Sequence, residues 1–235
     1  MVDTATRTLI APLISSKPVD ALAWYFALEH DARRTRIVAR TDADGQAVAF
    51  VAVCQTGIDL FRPMVVVRSE DSSALCDALR EALSPNRQYL FSAPVTLRPD
   101  IERVAYLYGE TTNHIYALHQ ADYKPVVNIM VQASRTPDGL LRASISARDG
   151  STAAEAGTTW ISSRYAEVYV RVVEALRSRG LGRSVVSAVT NQILELGRTP
   201  IYSASDDNLP SQHVAQALGY HDTEGWELSG ALGLK

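Results

Sequence analysis

The sequence predicts a mixed α/β fold, with helices on the faces of a sheet, built as two halves of similar architecture. Three observations carry this. Strand hairpins are followed by strand–helix–strand units, the order that gives a mixed, helix-covered sheet. The hairpin signals Asp44-Gly45 and Asp149-Gly150 each lie between runs that read as strands. Leu90-Phe91-Ser92-Ala93 returns about 110 residues later as Ile201-Tyr202-Ser203-Ala204. A Val-Ala pair and a glycine follow each copy, Val104-Ala105 with Gly109 and Val214-Ala215 with Gly219. The pieces keep their order in both halves, which puts a join near Asp122 to Pro125 and domains at 1–122 and 126–235.

In the first half a helix is expected over Val19 to Arg33, with Pro18 just before its start. Strands Thr35 to Arg40 and Ala47 to Val53 flank Asp44-Gly45, and strand Met64 to Val67 follows. Helix Ser73 to Leu83, strand Gln88 to Ser92 and helix Pro99 to Leu107 complete the half. The second half runs in parallel: strands Leu141 to Ala147, Ala153 to Trp160 and Tyr165 to Val173, helix Arg183 to Leu196, and strand Pro200 to Ala204. Helix Leu209 to Leu218 and a last strand near Trp226 end it.

Composition bounds the function. A chain of 235 residues buries enough surface to fold without disulfides or a structural metal. Lys plus Arg number 23 against 26 acids, a net charge of −3, so no global basic field attracts nucleic acid or an anionic membrane. Two cysteines are too few for a disulfide scaffold, and His30, His114, His119, His213 and His221 show no metal spacing. The N-terminus lacks the apolar stretch of a signal peptide, and no segment reads as a membrane span. The expectation is a soluble, cytoplasmic protein; composition leaves a homodimer open.

The chemistry concentrates in one stretch. Strand residues Ala166, Val168, Val170 and Val172 face one way, and Glu167, Tyr169, Arg171 and Val173 the other. Arg177-Ser178-Arg179-Gly180-Leu181-Gly182-Arg183-Ser184 follows, and then Val185, Val186, Val189, Ile193 and Leu196 stripe one face of a helix ended by Gly197. A glycine-rich turn entering a helix presents unpaired N–H groups to one point, and glycines remove the Cβ atoms that would block an anion. The helix N-terminus adds about half a positive charge and the three arginines add full ones. This is a phosphate or pyrophosphate cradle on an acidic protein, and the competing reading is a glycine turn with solvated arginines. A dinucleotide fingerprint fails at Val185, where a third small residue is needed, which weakens a nucleotide-dependent oxidoreductase. A P-loop fails because no lysine stands beside Gly182.

Arg-x-x-Gly-x-Gly, after a strand carrying Glu167 and before an amphipathic helix, resembles the acetyl-CoA signature of the GNAT superfamily of N-acetyltransferases. The resemblance continues through Pro200-Ile201-Tyr202-Ser203, Asn208, Ser211-Gln212, Val214-Ala215 and Leu218-Gly219-Tyr220. Its wording is similar to the glycine N-acyltransferase-like subgroup, and it extends from about Thr158 to Trp226. It implies a GNAT-like acyl-CoA N-acyltransferase fold in two tandem halves, the first degenerate. It further implies acetyl-CoA as co-substrate, with Val170, Arg171 and Val172 beside the pantetheine arm. Backbone N–H groups from Ser178 to Arg183, with Arg177, Arg179 and Ser184 around them, would hold the pyrophosphate. Asn208 and Ser211 would contact the pantetheine, although Asn208 reads equally well as a helix N-cap.

The acceptor implied is a primary amine on a small molecule or peptide. Such an amine reacts as the neutral form, and a lysine-like ammonium loses its proton only near pH 10.4, so a positioned carboxylate is needed. Glu167 is the candidate, set against a strand carboxylate paired with Arg171 or Arg164. Ser162 and Ser163 could orient the acceptor or simply form a turn. Many relatives carry a tyrosine where this chain has Ala215, so no general acid is assigned; Tyr202, Tyr220 or water remain open. That gap also supports a non-catalytic CoA-binding module as the alternative. In the first half, Arg68-Ser69-Glu70-Asp71-Ser72-Ser73 has no glycine and two carboxylates, so this half should repel a pyrophosphate and instead help shape the acceptor site.

Overall fold

The computed structural model describes residues 2–57 and 59–235. The chain forms two compact units, Met1–Asn113 with Gly225–Lys235, and His114–Glu224. These bounds differ from 1–122 and 126–235 because the last strand returns to the first unit, where Glu227 to Gly233 pair antiparallel with Pro94 to Gln88. No helix among the described residues is long and apolar enough to cross a membrane.

The first unit opens with helix α1 (Thr4–Ile10), and a single turn α2 (Ala21–Ala23) follows. Strands β1 (Thr35–Thr41), β2 (Ala47–Cys54) and β3 (Met64–Ser69) pair antiparallel in succession, with Gly45 at φ 79° in the first hairpin as the Asp-Gly signal requires. Helix α3 (Ser72–Ala82) crosses to β4 (Gln88–Pro94), which runs parallel to β3. Helix α4 (Arg98–Val104) leads into β5 (Ala105–Ala117). Leu75, Leu79, Ile101 and Val104 of the two helices pack on Val51, Val65, Val67 and Phe91.

The segment expected as one helix over Val19 to Arg33 is broken. Pro18–Asp20 is a 3₁₀ turn, Trp24–Glu29 a π turn and Ala32–Arg34 a second 3₁₀ turn. Tertiary bonds override propensity here: Asp20 accepts from Ser15 N–H and Arg68 Nε, and Arg7 reaches the His30 carbonyl. The expected helix to Leu107 stops at Val104 because β5 begins there; its burial does not alternate from residue to residue, so there was no strand period to read.

The second unit repeats the topology. Edge strand β6 (Gln132–Arg135) pairs antiparallel with β7 (Leu141–Ser146), followed by β8 (Thr152–Ile161) and β9 (Tyr165–Val172), each antiparallel to the one before. Helix α5 (Leu181–Glu195) crosses to β10 (Thr199–Ser205), parallel to β9, and α6 (Leu209–Ala217) follows; of the last strand, β11 (His221–Leu234), only the start up to Glu224 belongs to this unit. Val185, Val186, Val189 and Ile193 of α5 are fully buried against Ala154, Ala156, Ala166 and Val168. Gly197 stands at φ 69° past the helix end, where a left-handed residue closes the last carbonyls. In this unit the strand order is β10-β9-β8-β7-β6.

Candidate active site

The parallel ladder between β9 and β10 is short. It joins Tyr165 to Val168 with Thr199 to Tyr202, after which β9 runs on to Val172 and β10 to Ser205 without further pairing to each other. A cavity of about 700 Å³ lies where they part. Val170, Arg171 and Val172 line it from β9, and Asn208, Pro210, Ser211, His213 and Val214 from the start of α6. Its third wall is Leu176, Arg177, Ser178 and Gly180, continued by Leu181, Gly182 and Arg183 of α5.

That third wall is built for close approach to the main chain. Ser178 at φ 62° and Gly180 at φ 77° put two left-handed residues around Arg179. Gly180 caps α5 without a side-chain hydrogen bond, and the first amide to close a helical bond is Ser184, onto the Gly180 carbonyl at 3.1 Å. The amides of Leu181, Gly182 and Arg183 therefore have no helical acceptor. A Cβ on Gly182 would sit 3.2 Å from Val172 Cγ2, so glycine is what lets the first turn of α5 close on β9. Among the described residues Arg177, Arg179 and Arg183 form no ion pair, and all three are exposed. Arg179 and Ser184 do not line the cavity. Ser184 is buried and anchors the turn from behind, donating to the Gly180 carbonyl at 3.2 Å and accepting from Asn128 Nδ2 at 3.2 Å.

The first unit treats the same places differently. The β3–β4 ladder covers only Met64 to Val66 against Leu90 to Ser92 before those strands also part. There the buried Arg68 guanidinium reaches Asp20 at 2.7 Å and Glu227 at 2.6 Å, and Ser92 donates to Glu227 at 2.7 Å. The N-terminus of α3 is occupied by its own anion, since the Asp71 carboxylate accepts from Ala74 N–H at 2.7 Å.

Glu167 lies one position before the last β9–β10 rung, half-buried. Its carboxylate accepts from Ser203 Oγ of β10 at 2.9 Å and from Thr159 Oγ1 of β8. The register of β8 against β9 slips between Thr158 and Trp160, so Thr159 is an extra residue in a bulge, which brings it to Glu167. Nothing in the sequence marks that bulge; Ser203 was visible only as part of the repeated motif. Arg171 does not pair with Glu167 but stacks on the Tyr169 ring at 5.6 Å. Ser162 is a turn residue, its Oγ accepting from Tyr165 N–H at 2.8 Å.

On α6, Asn208 is the N-cap, its Oδ1 accepting from Ser211 N–H at 3.2 Å. Ala215 is fully buried. Tyr220 is also buried and bonds Thr190 at 2.7 Å, and burial raises its phenol pKa. Tyr202 Oη lies 2.8 Å from Ser211 Oγ.

Residues 144–228 match the family model for the GNAT acetyltransferase domain. No curated protein matches the chain by sequence. Among solved structures, a GCN5-related N-acetyltransferase-like protein from Streptococcus suis 89/1591 superimposes with a TM-score of 0.64 at 13% identity, covering 98% of this chain and 99% of that one. A GCN5-related N-acetyltransferase from Kribbella flavida gives 0.64 at 18% identity over 91% of this chain and 95% of its own. A tandem GNAT protein from the clavulanic acid biosynthesis pathway gives 0.59 at 14% identity over 99% and 95%. These matches do not distinguish the glycine N-acyltransferase-like subgroup from the rest. With the repeated topology of the two units, they show that the chain has the GNAT fold and that residues 144–228 are similar to the GNAT acetyltransferase domain.

Proposed function

We propose that the second unit binds acetyl-CoA in the cavity between β9 and β10 and transfers the acetyl group to a primary amine by direct attack in a ternary complex. The observation that carries this is the coincidence of two features: a parallel strand pair that opens after four rungs, and a helix N-terminus without a side-chain cap whose Arg177 and Arg183 line the opening. Amides of Leu181, Gly182 and Arg183 would hold the diphosphate, with Arg177, Arg179 and Arg183 adding charge. The free edge of Val170 to Val172 suits the pantetheine amides, and the Nδ2 end of Asn208 remains to donate to them. The thioester supplies the acyl group.

Glu167 takes the amine's proton, directly or through a water, held in place by Thr159 and Ser203. The first unit does not share the cofactor: Asp71 fills its helix N-terminus and the Arg68 cluster fills its strand parting.

The second reading is a CoA-binding module without turnover, favoured by the buried Ala215 where the resemblance places a tyrosine. Calorimetry with acetyl-CoA, then thiol release across polyamines, amino acids, aminoglycosides and peptides, decides between them. Turnover that Glu167→Gln abolishes supports the enzyme. Binding with a flat panel supports the module, and no uptake of any CoA species ends both.

A further inference from the structure

The hydroxyls of Ser211 and Tyr202 form a couple at the edge of the cavity. Tyr202 stands on the last rung of the β9–β10 ladder, opposite Val168, where the strands begin to part. Its side chain is 1% exposed and packs edge-on against Tyr220, with ring centroids 5.7 Å apart. Among the described residues the one hydrogen-bond partner of its phenol is Ser211 Oγ, at 2.8 Å. Burial raises the phenol pKa, so the group keeps its proton through the neutral range. A buried O–H with one acceptor in reach donates to it, since the reverse arrangement would strand a buried proton.

Ser211 Oγ is therefore the acceptor in this pair, and its own proton is turned away from Tyr202. The Ser211 amide is already spent on Asn208, and the residue lines the cavity. Ala215, one helical turn further along the same face of α6, offers no polar group.

We infer that Ser211 is the hydroxyl that binds the sulfur set free from the thioester, and that Tyr202 is the positioning residue that aims it; this rests on the acyl-CoA reading above. When the amine nitrogen bonds the acyl carbon, the C–S bond breaks and its electron pair stays on sulfur. The amine's proton leaves through Glu167 or water, and the thiolate takes a proton from solvent on release. Ser211 keeps its proton throughout and contributes a hydrogen bond that strengthens as charge builds on sulfur. The sequence echo hides this role, because Phe91 at the counterpart of Tyr202 in the first half has no hydroxyl.

The test needs no acceptor. CoA is bound to the full chain, and the ultraviolet absorbance of its thiolate is followed against pH in the wild type, Ser211→Ala, Tyr202→Phe, the double variant and Ser211→Thr. A free alkyl thiol titrates near 8.5; the bound thiol should titrate lower in the wild type and rise by about one unit in Ser211→Ala. Tyr202→Phe should reproduce part of that rise, the double variant should add nothing to Ser211→Ala, and Ser211→Thr should restore the wild-type value. Calorimetry and a thermal melt on each variant report CoA uptake and folding. Uptake with one common titration in all five proteins overturns the inference alone. Absence of uptake by the folded wild type overturns the acyl-CoA reading and the inference with it.

Discussion

Substitution of Gly182 by alanine and then valine separates what the first turn of α5 does for stability from what it does for binding. The backbone there is helical, so alanine gains about 0.5–1 kcal/mol from reduced unfolded-chain entropy. Against this, its Cβ lies 3.2 Å from Val172 Cγ2 and 3.8 Å from Val170 Cγ2, so Val172 must yield slightly. The two effects nearly cancel, and at about 2–4 °C per kcal/mol for a chain of this size the Tm of Gly182→Ala stays within about 4 °C of wild type. Valine adds two carbons to a wall already formed by Val170, Val172 and Val214, an overpacking cost of about 1–3 kcal/mol. Binding responds differently. A hydrogen bond from this amide to a charged diphosphate is worth about 1.5–3 kcal/mol, so blocking the approach weakens CoA by roughly 10- to 100-fold. Calorimetric titration with CoA beside a thermal melt reads both quantities. A folded Gly182→Val protein that binds CoA as tightly as wild type would refute the seating of the diphosphate on this turn.

Two further outcomes follow from the charges. Glu227→Ala leaves the buried Arg68 with Asp20 alone and should cost about 3–5 kcal/mol in urea denaturation; an unchanged midpoint would mean that the cluster does not support the first unit. His114 lies between Asp206 at 3.0 Å and Asp222 at 2.9 Å, and the hydrogen bond to Asp206, then that to Asp222, raises its pKa above the ordinary value near 6.5. The stabilisation is therefore complete below that ordinary value and is lost as pH rises through the raised one. Screening limits it to about 0.2–1 kcal/mol per pair, and His114→Asn should flatten that part of the stability–pH curve.

How far the sequence could be read depended on whether a signal was local. The turn from Arg177 to Arg183 was legible because its glycines and arginines announce their chemistry without knowledge of neighbours, and the structure gathers most of them around one cavity. The repeated Leu90–Ala93 and Ile201–Ala204 strings mark the two parallel strands, β4 and β10, at corresponding places in each unit. The break between Val19 and Arg33 was not legible, because it comes from bonds to Arg68 and Arg7 that are distant in sequence. Thr159 was equally hidden: a bulge is a mismatch between two strands, and neither strand alone contains it.

The amino-acid order by itself determined most of the alternation of strands and helices, the turn that exposes main-chain amides, and the absence of such a turn in the first half. These are properties of backbone freedom, side-chain period and local charge. Only tertiary structure decided that β9 and β10 part after Val168 and Tyr202, that Glu167 receives two hydroxyls from different strands, and that a buried phenol lies within hydrogen-bond distance of Ser211 at the cavity. Such contacts join residues from 8 to 36 positions apart. Their geometry exists only when packing has paid the entropy of bringing those positions together.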